Sequence, residues 1–366
     1  MEITPYLELM VKKNASDLFF STGAPVNIKI EGIISPVGEK ILLPQESNSI
    51  AYSIMSDKQA AEFESEMEMD LAISLKNIGR FRINIFRQRG DVAMVVRYIK
   101  THIPSIETLG LPPLLKKLIM QPHGLILVVG ATGCGKSTTL ASMIDYRNQN
   151  TTGHILTIED PIEFLHQHSR SVVDQREVGM DTKSYASALR RAMREAPNVI
   201  LIGEIRDRET MEHAIAYAET GHLCLSTLHA TNANQTLERI INFFPDTAHR
   251  QLFMDLSLNL RAVISQRLVT GLDNKRHPAV EILLNSPYAA DLIQKGEIDS
   301  VKEVMAQSVE GGMQTFDQSL YQLYKDGKIS AEDALDNADS RNDLGLKIRL
   351  NKGGDILDGK LSMEET

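Results

Sequence analysis

Tryptophan is absent from this chain, and aromatic residues make up only 5% of it. Proteins that hold single-stranded nucleic acid stack bases on aromatics along a basic groove. Here 39 Lys and Arg stand against 48 Asp and Glu, a net charge of −9. Phosphate neutralisation needs clustered cations, so a nucleic-acid partner is not expected. Cysteine is scarce too. Cys134 and Cys224 can build neither a disulfide framework nor a four-thiolate zinc site. No window approaches the roughly 18 apolar residues of a membrane span, and the first residues, MEITPYLELMVKK, carry no basic-then-apolar leader. These absences point to a cytoplasmic protein without direct membrane insertion, whose membrane role, if any, runs through partners. What is present is an ordinary globular mixture, 42% apolar and 24% charged over 366 residues, enough for two or three domains.

Residues 1–98 alternate short helical and strand patterns. Asp17–Phe20 leads into a strand over Pro25–Ile30, and residues 48–69 look helical with an acidic end. Over Gly79–Ile85 the pattern alternates strictly: Phe81, Ile83 and Ile85 share one face, Arg80, Arg82 and Asn84 the other. Met94–Ile99, carrying Arg97, is the expected partner strand. Between Lys76 and Lys100 the only acid is Asp91, against seven bases, which is either a solvated face or a surface that meets phosphate. Residues 99–123 hold Pro104, Pro112, Pro113 and Pro122 and read as a linker. Beyond it, apolar runs at Leu125–Val129, Ile155–Ile158, Val199–Ile202 and Leu223–Leu228 alternate with amphipathic helices, the signature of an α/β domain with a mostly parallel sheet. Residues 251–269 form a long amphipathic segment. The last stretch, 331–366, holds nine acids and five bases, and 341–366 reads as an acidic, flexible tail.

Gly130-Ala131-Thr132-Gly133-Cys134-Gly135-Lys136-Ser137 fits G-x-x-x-x-G-K-[ST] between an apolar run and a helical stretch. Backbone N–H groups of such a loop turn inward around phosphates, and the helix N-terminus adds its dipole. The chemistry predicts ATP held by residues 130–137 and Thr138. Lys136 would sit on the β- and γ-phosphates and the Ser137 hydroxyl on Mg²⁺.

Three further strand ends carry titratable groups. Glu159-Asp160-Pro161-Ile162-Glu163 follows Ile155–Ile158, where ligands of open α/β sheets bind. Glu163 is the expected general base, with Glu159 and Asp160 polarising the Mg²⁺ shell. Val199–Ile202 runs into Gly203-Glu204. Gly203 stands where a Walker B motif has Asp, so Glu204 would act on the metal through water. Base and metal-shell roles are not separable at this point. His229 ends the fourth strand and His222 precedes it. His229 can sense a γ-phosphate, whereas six intervening residues and no clustered ligands argue against zinc. A GTPase is disfavoured, since Asn351-Lys352-Gly353-Gly354 fails N-K-x-D.

Together, the Walker A loop, ILTIEDPIEF at 155–164, VILIGE at 199–204 and HLCLSTLHATNA at 222–233 resemble the secretion-superfamily ATPases, and within them the PilT/PilU family of type IV pilus retraction ATPases. GHILTIEDPIEFLHQH, INFFP, GMQTFDQSLYQLY and the segment past residue 335 are most similar to PilU-type members. The resemblance implies a PAS-like N-terminal α+β domain (1–98), the linker (99–123), and a RecA-like P-loop domain with C-terminal helices (124–340). It also implies a hexameric ring driving pilus retraction and twitching motility. Its expected partners are a PilT-like ATPase and the inner-membrane pilus platform protein, which would make it peripheral at that membrane. It assigns Glu163 as base, Glu204 as the Walker B acid, His222 and His229 to intersubunit coupling, and N-terminal arginines, Arg82 and Arg97 (or Arg80), to the γ-phosphate. Where PilT-like members carry arginine in a C-terminal motif, this chain has Ala290, which implies an accessory motor rather than an autonomous one.

Overall fold

The computed structural model describes residues 2–350 apart from residue 77. These divide into two compact units, one of residues 2–102 with 162–165, the other of 103–161 with 166–350.

The first unit holds β1 (Asp17–Phe20), β2 (Pro25–Ile30), β3 (Ile33–Ile41), β4 (Glu68–Leu75), β5 (Gly79–Gln88) and β6 (Asp91–Ile99), in antiparallel order β3-β2-β1-β6-β5-β4. Phe81, Ile83 and Ile85 are fully buried, as the alternation along β5 requires, and pack with Leu7, Met10, Phe20 and Phe63 from the covering helices and β1. The single helix expected over 48–69 is two helices, Pro44–Ser53 and Asp57–Glu66, followed by β4. Met67 adopts φ 64° and ends the second helix. After it, buried Met69 and Leu71 alternate with exposed Glu68 and Asp70, a period of two that belongs to a strand.

The second unit holds β7 (Gly124–Val129), β8 (Gly153–Glu159), β9 (Ser171–Glu177), β10 (Val199–Ile202), β11 (Leu223–Leu228), β12 (Leu260–Thr270) and β13 (Arg276–Leu284). The order is β13-β12-β7-β11-β10-β8-β9, parallel except for the β12–β13 hairpin. Helices cover both faces. Leu125, Leu127 and Val129 pack with Met211 and Ala214, while Ile126 and Val128 pack with Leu140, Met143 and Ile144. Burial on both sides is why these strands read as unbroken apolar runs.

Three expectations are corrected here. The 99–123 stretch is no loose linker: Ile106, Leu111, Leu115 and Ile119 are buried in the second unit's core, and its prolines lead into the helix Leu114–Ile119. Residues 251–269 split into the helix His249–Asn259 and β12. Finally, residues 341–350 are helical, with Leu344 and Ile348 buried beside Phe316 and Leu320. The remainder of the expected tail lies outside the described residues.

Candidate active site

The glycine loop leaves the carboxyl end of β7, whose neighbours are β12 and β11. Gly130 has φ 148°, and a Cβ there would lie 2.5 Å from both Cys134 Sγ and the Gln266 carbonyl, so no side chain fits. Cys134 is buried; its thiol fills the loop's interior and burial pushes its pKa up. The helix Lys136–Asn150 starts from Gly135 with no side-chain cap. Its first N–H groups therefore remain for an anion. Lys136 Nζ donates to the carbonyls of Gly130 (2.9 Å) and Ala131 (3.1 Å), which keeps the ammonium inside the cradle. Ser137 is exposed and Thr138 half-buried on the first turn.

Sequence reasoning missed the clamp under this loop. Gln266, buried on β12, accepts from Thr139 Oγ1 at 2.7 Å and donates through Nε2 to the Cys134 carbonyl at 2.8 Å. The signal was a run of three polar residues, Ser265-Gln266-Arg267, between the apolar Val263-Ile264 and Leu268.

Glu204 follows β10, and its side chain is only 12% exposed. Arg206 Nε donates to its Oε2 at 2.5 Å, His229 Nε2 lies 2.8 Å from its Oε1, and Arg206 Nη1 lies 3.7 Å from Asp160 Oδ2. Asp160, Arg206, Glu204 and His229 thus form one continuous chain of polar contacts across the ends of β8, β10 and β11. Glu159 Oε1 accepts from Thr157 Oγ1 (2.7 Å) and Gln175 Nε2 (3.2 Å). The absent Walker B aspartate has a steric reason. A Cβ at Gly203 would lie 2.8 Å from the Tyr185 hydroxyl and 3.2 Å from Glu159 Cα. Burial first, then the charge of Asp160, push the Tyr185 phenol upward and keep it protonated.

His222 is at the opposite end of β11 from His229, beside Thr220 (Nδ1 to Oγ1, 3.1 Å), where Leu223 pairs with Gly124. Glu163 is exposed and falls in the segment 162–165 grouped with the first unit. There Phe164 bridges Lys100, and the Leu165 N–H donates to the Lys100 carbonyl at 3.0 Å. Arg82 and Arg97 are direct cross-strand partners on β5 and β6. Arg82 lies 3.8 Å from Asp70, and Arg97 Nε donates to Asp17 at 2.9 Å.

A glycine cradle on a RecA-like, mostly parallel sheet, with carboxylates at the neighbouring strand ends, defines a P-loop ATPase. A family model described as "Type II/IV secretion system protein" matches residues 2–361, and the chain belongs to that family. It is 54% identical to the type IV pilus ATPase PilU of Pseudomonas aeruginosa over 97% of this chain and 93% of that protein. It is 40% identical to the PilT retraction ATPase of the same organism, over 92% and 98%. Among solved structures, the pilus retraction motor PilT with bound ADP superposes with TM-score 0.87 at 42% identity, covering 93% of this chain and 98% of that one. The DotB ATPase of Legionella pneumophila gives 0.77 at 27%, covering 91% and 93%.

Proposed function

We propose that this chain is an ATP-hydrolysing motor subunit of type IV pilus retraction and twitching motility, of the PilU kind. In this reading it forms a hexameric ring, sits in the cytoplasm at the inner membrane through the pilus platform protein, and works beside a PilT-like ATPase. The observation that carries this is 54% identity to a named PilU over 97% of the chain, together with an intact cradle and Glu204–His229 pair. Ala290, half-buried on the helix Pro287–Lys295, supplies no guanidinium. That favours the accessory role over an autonomous PilT-type motor.

The donor set fits Mg²⁺ carried in with the phosphates. Ser137 offers one hydroxyl oxygen, Gly203 offers none, and among the described residues no group of three or more His, Cys, Asp or Glu could hold a metal. When bound, Mg²⁺ would neutralise charge on the β- and γ-phosphates. Lys136 would exchange its loop carbonyls for phosphate oxygens. Glu204 would orient water, and His229, with Nε2 2.8 Å from its Oε1, would respond to the γ-phosphate. Glu163 as base, Arg82 and Arg97 as arginines facing that phosphate, and His222 in intersubunit coupling belong to the same proposal.

The test is turnover of the purified protein and of Lys136→Ala, followed by complementation of strains lacking this gene, with and without the PilT-like gene. Turnover lost in Lys136→Ala, and pilus retraction that needs both genes, support the reading. Retraction by this protein alone would overturn the accessory role, and undiminished turnover in Lys136→Ala would overturn the site.

A further inference from the structure

Glu281 is an acid inside the apolar strand β13, in the run Ala279-Val280-Glu281-Ile282-Leu283, and is 1% exposed. A carboxylate in that setting needs a specific reason, since burial penalises its charge. Its Oε1 accepts two hydrogen bonds, from the Ala233 N–H at 2.7 Å and from Ser265 Oγ at 3.0 Å. Burial pushes its carboxyl above the ordinary range.

Both donors lead to the nucleotide site. Ala233 is the first residue of the helix Ala233–Asn242, four residues after His229. Ser265 pairs in register with Val129, the residue before Gly130, and the next residue on its strand, Gln266, clamps the glycine loop. One buried oxygen therefore ties the strand beside the cradle to the turn that carries His229. The Asn232 side chain already caps the same helix by accepting from the Gln235 N–H at 2.9 Å. Glu281 thus takes the N–H of the helix's first residue, and it fixes where the turn 229–232 lies.

We infer that Glu281 is a positioning residue for ATP hydrolysis: it holds the turn 229–232 so that His229 meets Glu204, and it contributes a placed oxygen rather than a charge. This rests on the reading that Glu204 and His229 act at the γ-phosphate. Misplacing such a turn by an ångström lowers the chemical step while leaving the cradle's grip on nucleotide intact.

The test compares Glu281→Ala, Glu281→Asp and Glu281→Gln for kcat, for affinity toward a non-hydrolysable ATP analogue, and for thermal midpoint. Gln keeps the oxygen and loses the charge. Asp keeps the charge but is one methylene too short, and it serves where Ala fails to fold. The expected result is a kcat lower by about ten- to a hundredfold in Ala and Asp, analogue affinity within about threefold of the parent, and kcat restored in Gln. In a His229→Ala background, Glu281→Asp should add no further loss, because its effect runs through that side chain. Additive losses, loss in Gln, or parental kcat in folded Asp would each overturn the inference. If His229→Ala alone leaves turnover unchanged, the reading of the site fails instead, and the two failures are distinguishable.

Discussion

His229 Nε2 and Glu204 Oε1 lie 2.8 Å apart, although the two residues end different strands, β11 and β10. The register explains the meeting. Val199 pairs with Leu223 and Ile202 with Ser226, so the two chains leave the sheet side by side. The Glu204 carboxylate is then shared, one oxygen toward His229 and the other held by Arg206. Each oxygen keeps a further acceptor site, so the carboxylate can take a water between the two partners that fix its orientation.

Glu204→Gln keeps shape and removes charge. Turnover is expected to fall by about a hundredfold or more, with analogue affinity little changed. His229→Ala should lower kcat less, since the carboxylate remains. Steady-state turnover with a parallel binding titration checks this. A Glu204→Gln protein that hydrolyses ATP at the parental rate would make the carboxylate a structural partner of Arg206 and nothing more.

Restoring the aspartate of a standard Walker B motif should harm this protein. Gly203→Asp puts a Cβ 2.8 Å from the Tyr185 hydroxyl, with the Ile158 carbonyl at 3.3 Å. Overpacking of this kind costs about 1–3 kcal/mol. Gly203→Ala should show much of the same loss in thermal midpoint, and adding Tyr185→Phe should return part of it. An unchanged midpoint in Gly203→Ala would mean that the Tyr185 ring moves aside freely.

Four strands of the second unit were legible because β7, β10 and β11 are buried along their whole length and β8 along its centre, which makes them predominantly apolar. The cradle was legible because its chemistry needs fixed residue types at fixed spacing. Asp207 caps the helix Arg208–Glu219, its side chain accepting from the Thr210 N–H at 2.8 Å. What escaped was long-range. Gln266 and Glu281 are ordinary polar letters until the β12–β13 hairpin carries Gln266 to the glycine loop and Glu281 to the Ala233 N–H. Arg206 stands two residues from Glu204, yet spacing alone could not show that Asp160 and Glu204 share it. The β12 strand was hidden behind a helix with which it forms one continuous amphipathic run. Residues 341–350 looked like a tail because polar residues interrupt them throughout; of their four large apolar residues Leu344 and Ile348 are buried, while Leu346 and Leu350 are exposed.

The C-terminal helices are fastened by a charge whose strength depends on pH. Asp339, with its side chain 14% exposed, accepts from Arg267 Nη2 at 2.8 Å and Lys302 Nζ at 2.9 Å. Arg267 also donates to the Asn337 carbonyl at 2.8 Å and stacks 3.8 Å above the Phe316 ring. Burial acts to raise the Asp339 carboxyl, but the bonds from Lys302 and Arg267 outweigh it and hold the group below its ordinary value. A carboxyl lowered in the folded state contributes stability that is complete above its unfolded value of about 3.9 and is lost as pH falls through the folded one. Hydrogen-exchange protection over residues 331–350, with rates corrected for the intrinsic pH dependence of amide exchange, should therefore be high at neutral pH and fall as the medium is taken below about pH 4. In Asp339→Asn the same amides should exchange faster already at neutral pH, by the equivalent of about 2 kcal/mol. Their additional acid response should be flatter than the parent's. If parent and variant respond to acid alike, the fastening comes from the packing of Leu344 and Ile348 on Phe316 and Leu320, with Asp339 a bystander to it.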